Sequence, residues 1–423
     1  MRRTATVVVV SAVLLLGAAA PVFASSGELS ITSSTTLTSD HDGNVVIQAS
    51  GITLDCAGHS IIGDGTADLV GIRADNVTGV TIKNCVVTGF DPHGIYAAGS
   101  TGLHVRGNTV LGSAGHAIYL ADSPGAVVMG NTIRDSGFGD PYGGYGVVLQ
   151  RSSGAVITGN TATDNKWAGF ALVDASSQTT VSSNTSARNG DGFHVEPAAD
   201  LTFSRNVARD NYNFGFVVNG VTGGRFVANT VSRNGADGFN IQASGGLTIE
   251  ANVVKANNNG FYIEATPDIL LVANNASDNR ALGFWVSSGS DRATLRLNLA
   301  SNNGDNGIRI YHAADARVVG NTASGNPVGF DFGTAINPTV KGNVARANTW
   351  AGFGLFDSTT GGTFVENVAN RNASFGFLVD GGPSGNTLED NRAYGNGEID
   401  ALQTDTAGPN TWLHNHFGTQ VGF

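Results

Sequence analysis

The sequence predicts an all-β chain wound as a right-handed parallel β-helix, a β-solenoid of about 14 coils, and three observations predict it. A small residue followed by an apolar one recurs from Gly71-Ile72 to Gly376-Phe377 at intervals of 22–24 residues, with a single interval of 29. An asparagine column runs in phase with it, from Asn84 through Asn206 and Asn298 to Asn391. Between the two columns, apolar residues alternate over short runs such as Phe193-His194-Val195-Glu196.

Each observation has a physical reading. Self-similarity at a fixed period is the signature of a stacked architecture. A helical repeat of this length needs amphipathic runs of ten or more residues, which the several Gly and Asn of every unit would break. Alternation with a period of two marks short strands with one face inward. Strands joined by Gly/Asn turns at a constant period form the coils of a solenoid, none of which can bury its core alone. Phe170 to Phe353 would then stack inward along one sheet. The asparagines would sit at a turn, bonding to neighbouring backbone and to one another along the axis. Coils ~4.8 Å apart give a rod on the order of 70 Å long.

From the N-terminus, Arg2 and Arg3, an apolar stretch over 7–20 and Val22-Phe23-Ala24 form a signal-peptide layout over 1–24, with cleavage expected after Ala24. The remainder, 25–423, reads as one domain, with 25–50 capping the start of the rod and 398–423 its end. The chain is expected to be exported, outside the cell or in the periplasm, without a stable membrane span once the signal is removed, and monomeric. Cys56 and Cys85, 29 residues apart, lie near one coil from each other, so a disulfide and a pair of buried thiols both remain open. A net charge of −11 with only 23 Lys and Arg excludes nucleic acid as a partner. It argues equally against a polyanion held by charge alone.

Counting two residues past each repeat glycine gives one outward column: Arg73, Tyr96, Tyr119, Val148, Ala171, His194, Val217, Asn240, Tyr262, Trp285, Arg309 and Asp331. The next outward column adds Glu196, Asn219, Gln242, Glu264 and Tyr311. Aromatic rings, amides and carboxylates along a flat face suit a glycan chain, although a plain solvated sheet can carry the same residues. The 29-residue interval inserts Phe138-Gly-Asp-Pro-Tyr-Gly-Gly-Tyr145 just before this face, and insertions confined to one side of a solenoid mark its binding side. Around it the stacking brings together Asp91, His93, His116, Tyr119 and Lys166 as candidate catalytic groups, and with Trp167, His194 and Glu196 the group spans about 19 Å by coil count. Tyr142, Tyr145, Trp167, His194, Glu196, Tyr262, Trp285, Arg309 and Tyr311 are the expected substrate contacts. Taking a proton from C5 of a uronate needs a base of the Tyr, His or Lys type and a donor facing the adjacent carboxylate. Hydrolysis needs two carboxylates, and Asp91, Asp140 and Glu196 offer them without a spacing that selects a pair. Asp191, His194 and Glu196 share a coil and could hold a metal. No Cys cluster or paired-His spacing specifies a transition metal, no cofactor is assigned, and Ca²⁺ stays open as an ion for the carboxylates.

At Ile52-Thr-Leu-Asp-Cys-Ala-Gly-His59, Val80-Thr-Ile-Lys-Asn-Cys-Val-Val-Thr-Gly-Phe90 and Gly94-Ile-Tyr96 the chain resembles the NosD-like, pectate-lyase-superfamily β-helix repeat proteins. Asn410-Thr-Trp-Leu-His-Asn-His-Phe-Gly418 resembles the terminal coil of exported bacterial members. The resemblance implies the fold over the whole exported chain; such repeats occur in lyases, epimerases, hydrolases, metal-enzyme maturation proteins and adhesins alike. Phe90-Asp91-Pro92-His93 is similar to the Asp-Pro-His signature of mannuronan C5-epimerases, with Thr88 where that family has tyrosine. Motifs of polygalacturonases and pectate lyases are absent, as are Ca²⁺-binding nonapeptides. The expectation is an exported protein that interacts with extracellular or cell-wall polysaccharide at a surface groove, with uronate lyase or C5-epimerase as the activity if it is an enzyme. The alternatives are a non-catalytic surface scaffold and a NosD-like accessory protein of metal-cofactor maturation.

Overall fold

The computed structural model describes residues 25–139 and 143–423. The expected signal segment, with Asp140 and Tyr142, lies outside the described residues. All regular structure among them is β. Three long parallel sheets run the length of a rod, with 18, 18 and 17 strands. The front sheet is built from the strands that follow the repeat glycines, such as Ile95–Ala98, Ile118–Ala121, Val147–Gln150 and Ala168–Val173. Strands such as His104–Arg106 form the second sheet, and strands such as Thr109–Leu111 the third. Every front strand pairs in parallel with its equivalent one coil on, so Tyr96 lies beside Tyr119 and Phe170 beside Phe193.

The rod has more turns than the repeat count of about 14 implies, because both ends wind without the Gly-apolar signature. Leu29–Ile31 pairs with Val45–Ile47, which pairs with Ile72–Arg73. At the other end Ile399–Gln403 pairs with Gln420–Val421. Trp412 stacks on Phe423 there, 4.0 Å between ring centroids.

Inside the front sheet, the Phe170, Phe193, Phe216 and Phe239 rings stack nearly parallel, with centroids 5.1, 4.6 and 4.6 Å apart. Phe203 and Phe226 of the second sheet meet this column edge-on. Ile308 interrupts the column before Phe330 and Phe353 resume it. The repeat glycine is required by close packing: a β-carbon on Gly192 would lie 2.3 Å from the Gly215 carbonyl oxygen and 2.9 Å from the Ala208 methyl.

The asparagine column is a buried ladder. Each side-chain amide donates to the next side-chain oxygen, as Asn206 does to Asn229 at 3.1 Å and Asn229 to Asn252 at 3.0 Å. That same oxygen accepts the backbone N–H of the preceding asparagine, and the amide also donates to a carbonyl one coil back. Asn84 is not its first rung. The position is held by Cys85, whose N–H donates to the Asn108 side chain, while Asn84 faces Asp55 from the rod's exterior. Below it Cys85 is joined to Cys56 by a disulfide with Cα atoms 4.7 Å apart. A second ladder runs from Asn165 through Asn189 and Asn257 to Asn396 at the turn leading into the front sheet.

Candidate functional site

The residue just before each repeat glycine forms a column of its own on the outside of that turn: His93, His116, Tyr145, Ala168 and Asp191. The ladder beneath fixes its Tyr145, Ala168 and Asp191 end, since Ser136, Asn165 and Asn189 bond in series. His93 and His116 stack with centroids 5.1 Å apart and planes 4° from parallel. Tyr145 continues the row 5.3 Å beyond His116, and Trp167 stands edge-on to Tyr145 at 5.3 Å. The outward strand column runs alongside. Tyr119 packs edge-on against both histidines, at 5.1 Å from each, and Tyr96 lies 5.5 Å from Tyr119.

Small residues let this row bend toward the next polar group. Ala168, Val148 and Ala171 are buried although they point away from the core. Across them, Tyr145 and His194 approach to 6.2 Å between centroids, two coils apart. The result is a strip of rings with an apolar dip between Tyr119 and His194.

Hydrogen bonding fixes the polarity of the strip. The His116 backbone N–H donates to Nδ1 of His93 at 3.2 Å, and the Tyr145 N–H donates to Nδ1 of His116 at 3.4 Å. A ring accepting at Nδ1 carries its proton on Nε2, so both imidazoles present N–H donors. Burial pushes the Tyr145 hydroxyl up to about 12, with the Glu196 and Asp191 carboxylates adding to it. Burial raises Tyr119 as well, and its hydroxyl donates to Gln150. Both phenols therefore hold their protons at neutral pH. His194 sits between two carboxylates, with Nδ1 3.3 Å from Asp191 and Nε2 3.1 Å from Glu196. Burial alone would lower its pKa; the two carboxylates outweigh that and raise it. With both ring nitrogens engaged, His194 has no lone pair directed at a metal in this arrangement.

Sequence reasoning thus brought together His93, His116, Tyr119, Tyr145, Trp167, His194 and Glu196. Asp91 lies in the turn before them, its backbone bridged to Leu69, and its carboxylate makes no hydrogen bond among the described residues. Lys166 stands exposed beside Trp167, against the Gly144 backbone. Tyr262, Trp285, Arg309 and Tyr311 form a separate group farther along the same face. Tyr262 meets Trp285 edge-on at 4.9 Å, and burial pushes its hydroxyl up to about 12. Tyr96 and Gln150 are parts of the site that the sequence did not single out as contacts. Tyr96 repeats the Pro-His-Gly-Ile-Tyr pattern one coil early, which was the available signal.

Among the described residues no group of three His, Cys, Asp or Glu side chains is arranged to hold a metal ion. No helix among them is long and apolar enough to cross a membrane.

The molecule is thus a parallel β-helix repeat protein with a ring-lined outer face. It belongs to the right-handed β-helix family, whose model, described as right handed beta helix region, matches residues 22–186 and 268–393. A second model, that of the periplasmic copper-binding protein NosD, matches residues 140–306. No curated protein matches the chain. Among solved structures, the periplasmic alginate epimerase AlgG is similar at 12% identity over 90% of this chain and 77% of that one, with a TM-score of 0.35. The Azotobacter vinelandii mannuronan C-5 epimerase AlgE6 A-module is similar at 17% identity over 90% and 91%, with a TM-score of 0.39. The catalytic domain of a GH87 α-1,3-glucanase is similar at 11% identity over 93% of this chain and 62% of that one, with a TM-score of 0.33. These are likenesses of shape alone.

Proposed function

We propose that the front face binds an extended polysaccharide along the rod axis, with the His93–His116–Tyr145 row as its contact strip. The observation that carries this reading is the continuous run of rings at coil spacing outside the core. Pyranose rings stack their C–H faces on aromatic rings and need donors and acceptors for their hydroxyls. The strip supplies both: Tyr96, Tyr119 and Trp167 as faces, with hydroxyl, imidazole and carboxylate groups set between them. An exported protein meeting extracellular or cell-wall polysaccharide is the setting that the N-terminal sequence supports.

One observation favours a reaction in addition to binding. Elimination or epimerisation at C5 of a uronate needs a base on one side and a proton donor on the other. The Tyr119 and Tyr145 phenols hold their protons, whereas the Asp91 carboxylate, two residues from His93, makes no hydrogen bond among the described residues. In that reading Asp91 takes the C5 proton of a sugar lying over the His93 and His116 rings, and Tyr119 returns a proton.

The test is incubation of the secreted protein with uronate polymers in deuterated water, reading unsaturated ends by absorbance and C5 exchange by NMR, alongside binding on a glycan array. Binding that falls at least tenfold in His116→Ala/Tyr145→Ala supports the strip. Turnover abolished by Asp91→Asn supports catalysis there. Retention of full binding by the double variant, or failure of every glycan to bind, contradicts the proposal.

A further inference from the structure

The rod's arginines are used in two different ways. On the turns, Arg151, Arg188, Arg233 and Arg292 each place Nε and Nη2 on an aspartate one coil before, as Arg188 does on Asp164 at 2.8 and 2.7 Å. These forks are filled, and the pairs are exposed struts that contribute little beyond register. Arg309 differs. It stands in the outward column of the front sheet, between Trp285 and Asp331. Its guanidinium lies over the Tyr311 ring, with Cζ 4.7 Å from the centroid. Nε is buried and comes within 3.1 Å of the Asp331 carboxylate, yet its N–H does not point at an acceptor. Among the described residues neither Nη atom has a hydrogen-bond partner. The side chain is stacked and held in place, with an empty planar fork at the surface.

The geometry points to Arg309 as a second binding subsite, which takes the carboxylate of an acidic sugar residue in the guanidinium fork with Tyr311 and Trp285 as its walls. A planar fork matches a planar carboxylate bidentately, and a stacked guanidinium loses little freedom on binding. By five coil steps of ~4.8 Å the subsite lies about 24 Å beyond His194, so one extended chain can reach both. This inference rests on the polysaccharide reading of the front face and names the chemistry of the sugar.

The surroundings set how the subsite responds to pH. The Asp331 carboxyl is buried and accepts a hydrogen bond from the Asn306 amide at 2.6 Å. Burial pushes its pKa up to about 6, Arg309 opposes that shift, and the Asp305 and Asp357 carboxylates add to it. Above that pH, the charged Asp331 carboxylate beside the guanidinium, with Asp305 and Asp357 close enough to raise its pKa, disfavours an incoming anion. As the pH falls through about 6, Asp331 takes up a proton and the net charge of the subsite becomes one unit more positive. Binding of an anion is linked to that protonation, so affinity for it rises on acidification.

The experiment is calorimetric titration of the full secreted chain with a trigalacturonate and with a neutral trisaccharide, at pH 7 and pH 5, with folding of each variant checked by circular dichroism. The wild type is expected to bind the acidic trimer more tightly at pH 5. Arg309→Gln and Arg309→Lys should each lower that affinity at least tenfold and leave the neutral trimer unchanged. Asp331→Asn should bind the acidic trimer at pH 7 as tightly as the wild type does at pH 5. Unchanged affinity in folded Arg309→Gln overturns the subsite. If His116→Ala/Tyr145→Ala still weakens longer oligomers in that event, the reading of the ring strip survives. A wild type that binds no glycan of any kind overturns both.

Discussion

His93 and His116 stack face to face, one coil apart, and each accepts the next backbone N–H at Nδ1. The stack and the amide bonds together fix the plane and the Nδ1 edge of both rings. His116→Phe keeps a ring in the stack and removes both nitrogens, including the Nδ1 that accepts the Tyr145 N–H. Loss of one ligand hydrogen bond, about 1.4 kcal/mol, should weaken glycan binding about tenfold. The melting temperature should stay within a few degrees of wild type, as measured by calorimetry.

The His194 imidazole between Asp191 and Glu196 predicts a pH effect on stability. Burial lowers its pKa, but the two carboxylates outweigh burial and the net shift is upward. Stabilisation from a raised histidine is full below the unfolded value near 6.5 and is lost as pH rises through the folded value. Urea unfolding of the wild type should therefore show falling stability above about pH 6.5, and His194→Gln should remove that component. An identical pH profile in the variant would contradict the assignment.

The two columns differ in how they were legible. The Gly-Phe repeat names its own geometry, because only a small residue fits under the next coil's carbonyl and only an inward ring fills the core. The ring strip was also readable: His93, His116 and Tyr145 all precede the small residue of the repeat, Gly94, Ala117 and Gly146. Two things were not. Asn84 matches the asparagine period to within one residue, and a one-residue slip turns a strand or turn position from core to solvent. Only the Cys85–Asn108 pairing reveals the true register. The second ladder, from Asn165 to Asn396, carries the same period and was hidden by the first. The buried state of Asp331, and the empty fork of Arg309, depend on side-chain placement that spacing does not encode.

Asn229→Ala should be strongly destabilising. It would strip partners from the buried Asn206 amide and backbone N–H and leave the Asn252 oxygen and Phe203 carbonyl one donor short. Each buried group left unpaired costs about 1–3 kcal/mol, so a total of several kcal/mol is expected. The exposed Asn370→Ala, which loses one bond to the Tyr394 hydroxyl, should cost about 0.5 kcal/mol or less. Chemical denaturation of the two variants side by side checks the contrast.

The disulfide sits at the foot of the first ladder. Removing it with Cys56→Ala/Cys85→Ala should cost about 3–4 kcal/mol for a loop of this size. Cys56→Ala/Cys85→Asn should recover part of that loss, since the new amide would meet the Asn108 side-chain oxygen. Equal melting temperatures for the two double variants would show that the ladder does not extend into that position.

The ring strip as a polysaccharide track is tested most directly by affinity against oligomer length. Binding of a graded series of oligouronates to the wild type should tighten with each added sugar until the chain spans His93 to His194, and then tighten again only when it reaches Arg309. The His116→Ala/Tyr145→Ala variant should lose the first rise. Affinity independent of length, or a first rise that persists undiminished in that variant, would contradict the account.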